Sequence, residues 1–227
     1  LGLSTLTGKQ GLSFVCTPTF GIVHLPDILR DFMLKCADAG DLKFVFEMPE
    51  KIVQGLRGGL YEMAVVEHCQ CFDLSDFETI SLPGDEMVFA AAPGLGIGPL
   101  LDNIDSLLMH TLYGRNEGCC SRTLLENNLK PLNRTTSDFK RLIIYDDLHI
   151  IVRAVINGEG IAFISSDLVA PMVREGKLVT FKVAGFTHQR RRTFAFNSLF
   201  PEGSPGALFM ETIRERFQPD GTGSIAS

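Results

Sequence analysis

Apolar positions change their period along the chain, and the changes mark out elements. Leu12 to Cys16 is a short apolar run ending in Thr17-Pro18-Thr19, the pattern of a strand running into a loop. Ile28, Leu29, Phe32, Met33 and Cys36 recur at helical spacing, with Asp27, Arg30, Asp31 and Lys35 on the other face. Leu42, Phe44, Phe46 and Met48 alternate, which predicts a strand. Ile52, Val53 and Leu56 form a short helical stripe that Gly58-Gly59 stops, and Met63 to Val66 reads as a buried strand. The order β-α-β-α-β predicts a parallel sheet with right-handed crossovers and a crevice at the carboxyl ends of the strands.

A second set of the same kind follows. Met87 to Ala92 reads as a strand that ends in the glycine-rich Pro93 to Pro99. A small helix over Asn103 to Leu108, a strand over Met109 to Tyr113 and a helix opening at Gly118 come next. Leu148, Ile151, Val152, Val155 and Ile156 form the clearest helical stripe, closed by Asn157-Gly158-Glu159-Gly160. Ile161 to Ile164, Leu178 to Val183 and Thr193 to Asn197 read as strands, and Leu208, Phe209, Ile213 and Phe217 mark a last helix. The polar tail from Pro219 to Ser227 has the composition of a disordered segment. Two α/β sets joined by two crossings predict two lobes, and clefts between lobes are where small ligands sit.

Composition narrows the function classes. The 227 residues are 45% hydrophobic and 21% charged, ordinary for a globular α/β chain. No apolar run reaches the roughly 18 residues of a membrane span, and Leu1 to Gln10 lacks the pattern of a secretory signal. A cytoplasmic, non-membrane protein is expected. The chain does not begin with Met, so a fragment of something longer, or a processed chain, is expected too. Its net charge of −6 argues against a DNA grip, which needs a basic face. Arg190-Arg191-Arg192 reads as a solvated edge or a salt-bridge cluster before a nucleic-acid site.

Cys16, Cys36, Cys69, Cys71, Cys119 and Cys120 form no CxxC pair and read as reduced thiols, several of them core residues. His68-Cys69-x-Cys71 offers metal-ligand types, but no second cluster completes a tetrahedral site, so no metal and no cofactor are expected. No nucleophile elbow, P-loop or His-Glu-x-x-His is present, and an enzyme is not expected. Asp146, just before the long stripe, reads as a helix cap.

Four stretches together resemble one family. They are Leu12 to Gly21 followed by Leu25-Pro26, Glu50 to Val66, Arg115 to Arg122, and Val155 to Ser165. In that order they resemble the markers of the effector-binding domain of LysR-type transcription regulators, over about residues 12 to 217. The resemblance implies a type 2 periplasmic-binding-protein fold of two Rossmann-like lobes around a central cleft. Lobe one would take residues 12–91 and 193–218 and lobe two 92–192, with a residual linker at 1–11 and a tail at 219–227. It also implies a missing N-terminal winged helix-turn-helix that alone contacts DNA. A homodimer through the sensing domain and a tetramer at full length would follow.

The candidate chemistry lies at two turns. Thr17 and Thr19, with Pro18 between them, offer hydroxyls at a strand-to-helix turn, either as an anion cradle or as helix caps. Phe20 would wall the site or belong to the core. Glu117, Gly118, Cys119, Cys120 and Ser121 form the facing turn, where the family more often has Ser and Gly in place of the two cysteines. That departure makes the ligand's polarity an open matter and leaves a redox role for the vicinal thiols as a lesser alternative. The expected effector is a small carboxylate or oxyanion. The competing readings are a free-standing solute-binding protein of a transporter and an enzyme built on the same fold. The glycine-rich Pro93 to Leu100 reads as a flexible crossing between the lobes.

Overall fold

The computed structural model describes residues 11–36, 39–69, 72–97 and 100–217. Apart from Gly11, the expected linker lies outside them, as do the tail from 219 and Cys71. Strand β1 (Leu12–Cys16) runs into α1 (Pro18–Val23) and α2 (Leu25–Lys35), then β2 (Leu42–Phe46), α3 (Pro49–Arg57) and β3 (Met63–His68). Each of the three helices carries a proline in its first turn, where the missing N–H costs nothing and the fixed φ suits the helix. β1 pairs parallel with β2 on one side and with β3 on the other, as the alternation predicts.

β4 (Glu78–Ala91) is longer than the sequence suggests. Only Met87 to Ala91 carries a continuous apolar signal. Glu78 to Glu86 contains Pro83 and Gly84 and is held as a strand by pairing antiparallel with β10. At Met87 the strand changes partners and pairs with β8, and from Phe89 with β9 as well. The change of partners therefore lies in β4, upstream of the glycine-rich segment at Pro93. Gly84 serves close approach there, since a Cβ on it would stand 2.8 Å from the Arg190 carbonyl oxygen.

The rest of the chain runs β5 (Leu100–Leu101), α4 (Asp105–Leu108), β6 (Thr111–Gly114), α5 (Cys120–Leu129), β7 (Arg141–Ile144) and α6 (Leu148–Ile156). It continues through β8 (Ile161–Ser165), α7 (Ser166–Arg174), β9 (Val179–Val183), β10 (Gln189–Phe196) and α8 (Pro205–Phe217). The strand order is β2-β1-β3-β10-β4-β8-β6-β7, with β9 beside β4 and β5 beside β9. The parallel pairing expected of each β-α set holds on the two flanks and gives way at the centre. β4 and β10 run antiparallel to their neighbours and join two parallel flanks, β2-β1-β3 and β8-β6-β7. β7 and α7 went unpredicted, because a four-residue strand and a helix containing Pro171 carry little periodic signal.

Separate apolar clusters sit on the two flanks. In the first, Phe209 of α8 meets Phe14 at 5.0 Å and Phe32 at 5.3 Å between ring centroids. In the second flank, Phe89, Phe163 and Phe181 pack on one face, and Ile151, Val155 and Ile164 on the other. Each such buried side chain stabilises the fold by about 1.5–3 kcal/mol relative to exposure. α6 is capped by Asp147, whose Oδ1 accepts the His149 N–H at 2.7 Å. Asp146, expected in that role, instead faces the Arg115 guanidinium at 3.6 Å.

Candidate functional site

The turn from β1 into α1 and the turn from β6 into α5 face each other across the sheet. Thr17, Pro18 and Thr19 from the first meet Arg115, Cys119, Cys120 and Ser121 from the second around a gap of about 20 Å³. That is room for about one water molecule, which needs on the order of 10–15 Å³. In this arrangement the two turns are closed on one another.

α5 starts where it does because Gly118 takes φ +81°, a left-handed conformation that side chains resist. Cys119 occupies the N-cap position but makes no side-chain cap. Its Sγ lies 3.2 Å from the Ser121 Oγ instead. The first-turn N–H groups of this ten-residue helix thus lack a side-chain acceptor, and they carry the positive end of the helix dipole. Arg115 adds a full charge. Its side chain is 7% exposed, and its Nε has no hydrogen-bond partner. A buried guanidinium N–H without an acceptor beside an uncapped helix start favours an anion.

Thr17 lines the gap, but its hydroxyl is engaged within the protein. α1 is only six residues long, and Thr17 makes neither a side-chain cap nor a free donor. Its Oγ1 donates to Glu67 Oε2 at 3.0 Å and accepts the Glu67 N–H at 3.3 Å. The protein's own carboxylate takes the hydroxyl. Of the two places open to Phe20, the structure has it in the core. It is fully buried in the first core cluster beside Phe14 and Phe217, and it does not line the gap. Glu117 projects into solvent and lies 3.5 Å from Arg122.

Beneath the gap lies a buried ion cluster whose acidic members, Glu67 and Asp85, the sequence analysis did not single out. Arg190 and Arg192 point inward from β10, whereas Arg191 is exposed. The strand's period of two separates them, and that signal was available in the sequence. Of the two readings of the arginine run, the salt-bridge cluster describes Arg190 and Arg192. Arg190 donates to Asp85 Oδ2 through Nε at 2.8 Å and lies 3.1 Å from Glu67 Oε2. Arg192 donates to Glu67 Oε1 at 3.0 Å. Ser165 Oγ donates to Asp85 Oδ1 at 2.9 Å and accepts the Leu168 N–H, capping α7. Burial raises the Asp85 pKa, and Arg190 works against that rise.

A larger groove of about 480 Å³ opens beside the gap and shares Pro49 and Cys120 with it. Phe72 and Leu124 give it apolar walls, and His68, Asn127 and Asn128 give it polar ones. His68 Nδ1 lies 2.8 Å from the Cys69 carbonyl, which can only accept, so Nδ1 carries the hydrogen. Thr193 then donates its hydroxyl to Nε2, also at 2.8 Å. Burial lowers the His68 pKa. Cys69 Sγ stands 3.3 Å from Cys120 Sγ, a juxtaposition that 51 residues of sequence separation concealed. Among the described residues no group of three or more His, Cys, Asp or Glu stands where it could hold a metal.

Residues 8–218 match the family described as LysR substrate binding domain. No curated protein sequence matches the chain. Solved structures resemble it at low identity. A sulfate-bound variant of the OxyR2 regulatory domain from Vibrio vulnificus is 18% identical with a TM-score of 0.67, over 93% of this chain and 96% of that one. The effector binding domain of QuiR in complex with shikimate is 14% identical with a TM-score of 0.68, over 91% and 97%. The bromide-bound regulatory domain of HypT from Salmonella typhimurium is 12% identical with a TM-score of 0.70, over 93% and 97%. The fold is the type 2 periplasmic-binding-protein fold. The family match gives no support to a transporter's solute-binding protein.

Proposed function

The chain belongs to the LysR substrate-binding domain family, the effector-binding domain of LysR-type transcription regulators, and from that premise we propose that it senses a small organic anion at Arg115. The carrying observation is the buried guanidinium whose Nε lacks a partner, set beside the uncapped start of α5. The ligand's carboxylate or oxyanion takes the N–H groups of Arg115 and of the first turn of α5. Its apolar body extends into the groove between Phe72 and Leu124. Sulfate, shikimate and bromide, held by the three similar domains, are all anions, which supports this class of ligand.

The closed gap of about 20 Å³ has no room for such a ligand. The two lobes, expected at residues 12–91 with 193–218 and at 92–192 and divided by the change of partners at Met87 and by β10, separate to admit it. The effector works only through unequal affinity for the closed and opened arrangements. It is bound and released unchanged, in keeping with the effector-binding role of the family.

Pairing of two copies transmits the shift. Met33 and Leu34 of α2 and Phe46 of β2 are exposed at one end of the sheet. Ile144 and Tyr145 at β7 and Ile150 of α6 are exposed at the other. Antiparallel pairing of two copies covers both ends at once. Four copies assemble in a full-length cytoplasmic regulator, which touches DNA through a winged helix-turn-helix outside this chain.

A thermal-shift screen of organic acids, amino acids, inorganic anions and neutral apolar compounds tests the reading. An anion at 100 times its dissociation constant adds about 2.7 kcal/mol of stability. Stabilisation by neutral apolar compounds alone would overturn it.

A further inference from the structure

Cys69 and Cys120 come from opposite sides of the molecule. Cys69 follows β3 in the first flank, and Cys120 is the first residue of α5 in the second. Their sulfurs stand 3.3 Å apart, and both side chains line the 480 Å³ groove. A disulfide needs about 2.05 Å, so a closing of about 1.3 Å separates the pair from a bond.

We propose that Cys69 and Cys120 form a reversible disulfide when a low-molecular-weight disulfide enters the groove, fastening the two lobes together. The bond goes beyond the effector reading and does not rest on it.

The two thiols have unequal environments, and these assign the roles. Cys69 is half-buried and open to the groove. A hydrogen bond from Cys120 and the nearby Arg190 charge bring its pKa down to about 7 against the cost of burial. Cys120 is buried, and its hydrogen bond to Cys69, with burial added, pushes its thiol up. The Cys69 thiolate therefore attacks one sulfur of the incoming disulfide, whose other half leaves as a thiolate and takes up the proton Cys69 has shed. Cys120 then attacks Cys69 Sγ in the mixed disulfide and passes its proton to the second departing thiolate. Two protein thiols are oxidised to one disulfide, and one small disulfide is reduced to two small thiols. A groove of this volume is of the size that takes small organic molecules.

The test treats the whole chain with hydroxyethyl disulfide, followed by alkylation and peptide mapping. The expected result is a linked peptide pair containing Cys69 and Cys120, a titratable thiol count lower by two, and reversal by dithiothreitol. Cys119→Ser keeps the bridge. Cys120→Ser stops at the mixed disulfide on Cys69, and alkylation of Cys69 in that variant rises with pH. A bridge mapping to Cys119 or Cys71, or a mixed disulfide persisting on Cys69 in the unsubstituted chain, overturns the proposal. Should Cys120→Ser fail to fold, the linked peptides of the unsubstituted chain still decide.

Discussion

Arg192 and Glu67 meet at 3.0 Å with side chains 2% and 0% exposed, joining β10 to β3 beneath the gap. Glu67 also accepts from Thr17 and lies beside Arg190, so its charge is compensated on three sides. Removing one member of such a buried set leaves charge without a partner, which costs about 3–5 kcal/mol. Glu67→Gln is expected to lower the urea-unfolding free energy by that amount. Glu67→Gln with Arg192→Met should cost less than the two single changes added together. Strict additivity would mean that the two side chains do not interact.

His68 sets a pH dependence. Its folded pKa is lowered from 6.5 by burial, so the unfolded chain binds the proton first as pH falls. The stability this group contributes is complete above about pH 6.5 and declines from there down through its lowered folded value. Urea midpoints measured across that window should fall with acidification in the unsubstituted chain, and less in His68→Gln. Identical slopes in the two proteins would remove His68 as the cause.

Pairing through the sheet ends has its own reading. Leu34 is 82% exposed on α2, and Ile150 is exposed on α6 at the far end. Light scattering after size exclusion should report a dimer. Leu34→Asp with Ile150→Asp should shift it to monomer while leaving the circular dichroism spectrum unchanged. A monomeric unsubstituted chain at the same concentration would contradict the arrangement.

Oxidation should also register as stability. A bond from Cys69 to Cys120 closes a long loop in the unfolded chain, worth about 2–4 kcal/mol. For a domain of this size that raises the Tm by roughly 4–16 °C. Calorimetry of the oxidised and reduced forms reads it directly, and an oxidised form that melts lower would mean that the bond strains the closed arrangement.

Much of this architecture was legible in residue periodicity. The α6 stripe at Ile151, Val152 and Val155 gave an element that the structure contains, because it carries one buried face along its length. The alternation of β2 gave another, although Leu42 and Phe44 are only half-buried and Phe46 is exposed. The first half of β4 was not legible. Its Pro83 and Gly84 carry no strand signal, and it is a strand only because β10 pairs with it. The site divides the same way. Cys119, Cys120 and Ser121 stand at the gap, as do Thr17, Pro18 and Thr19. That Thr17 is engaged by Glu67 depends on a contact across 50 residues, which no local pattern carries. Arg115 lay within a recognised stretch of sequence, but its unpartnered Nε became visible only once Asp146 and the α5 start were in place.

The central claim is that Arg115 holds the anion. Isothermal titration of the strongest anion from the thermal screen, into the unsubstituted chain and into Arg115→Met, tests it most directly. A charged hydrogen bond contributes about 1.5–3 kcal/mol, so the account predicts a Kd weakened roughly 10- to 150-fold in Arg115→Met. Circular dichroism should show an unchanged fold. An affinity equal in the two proteins would contradict the account.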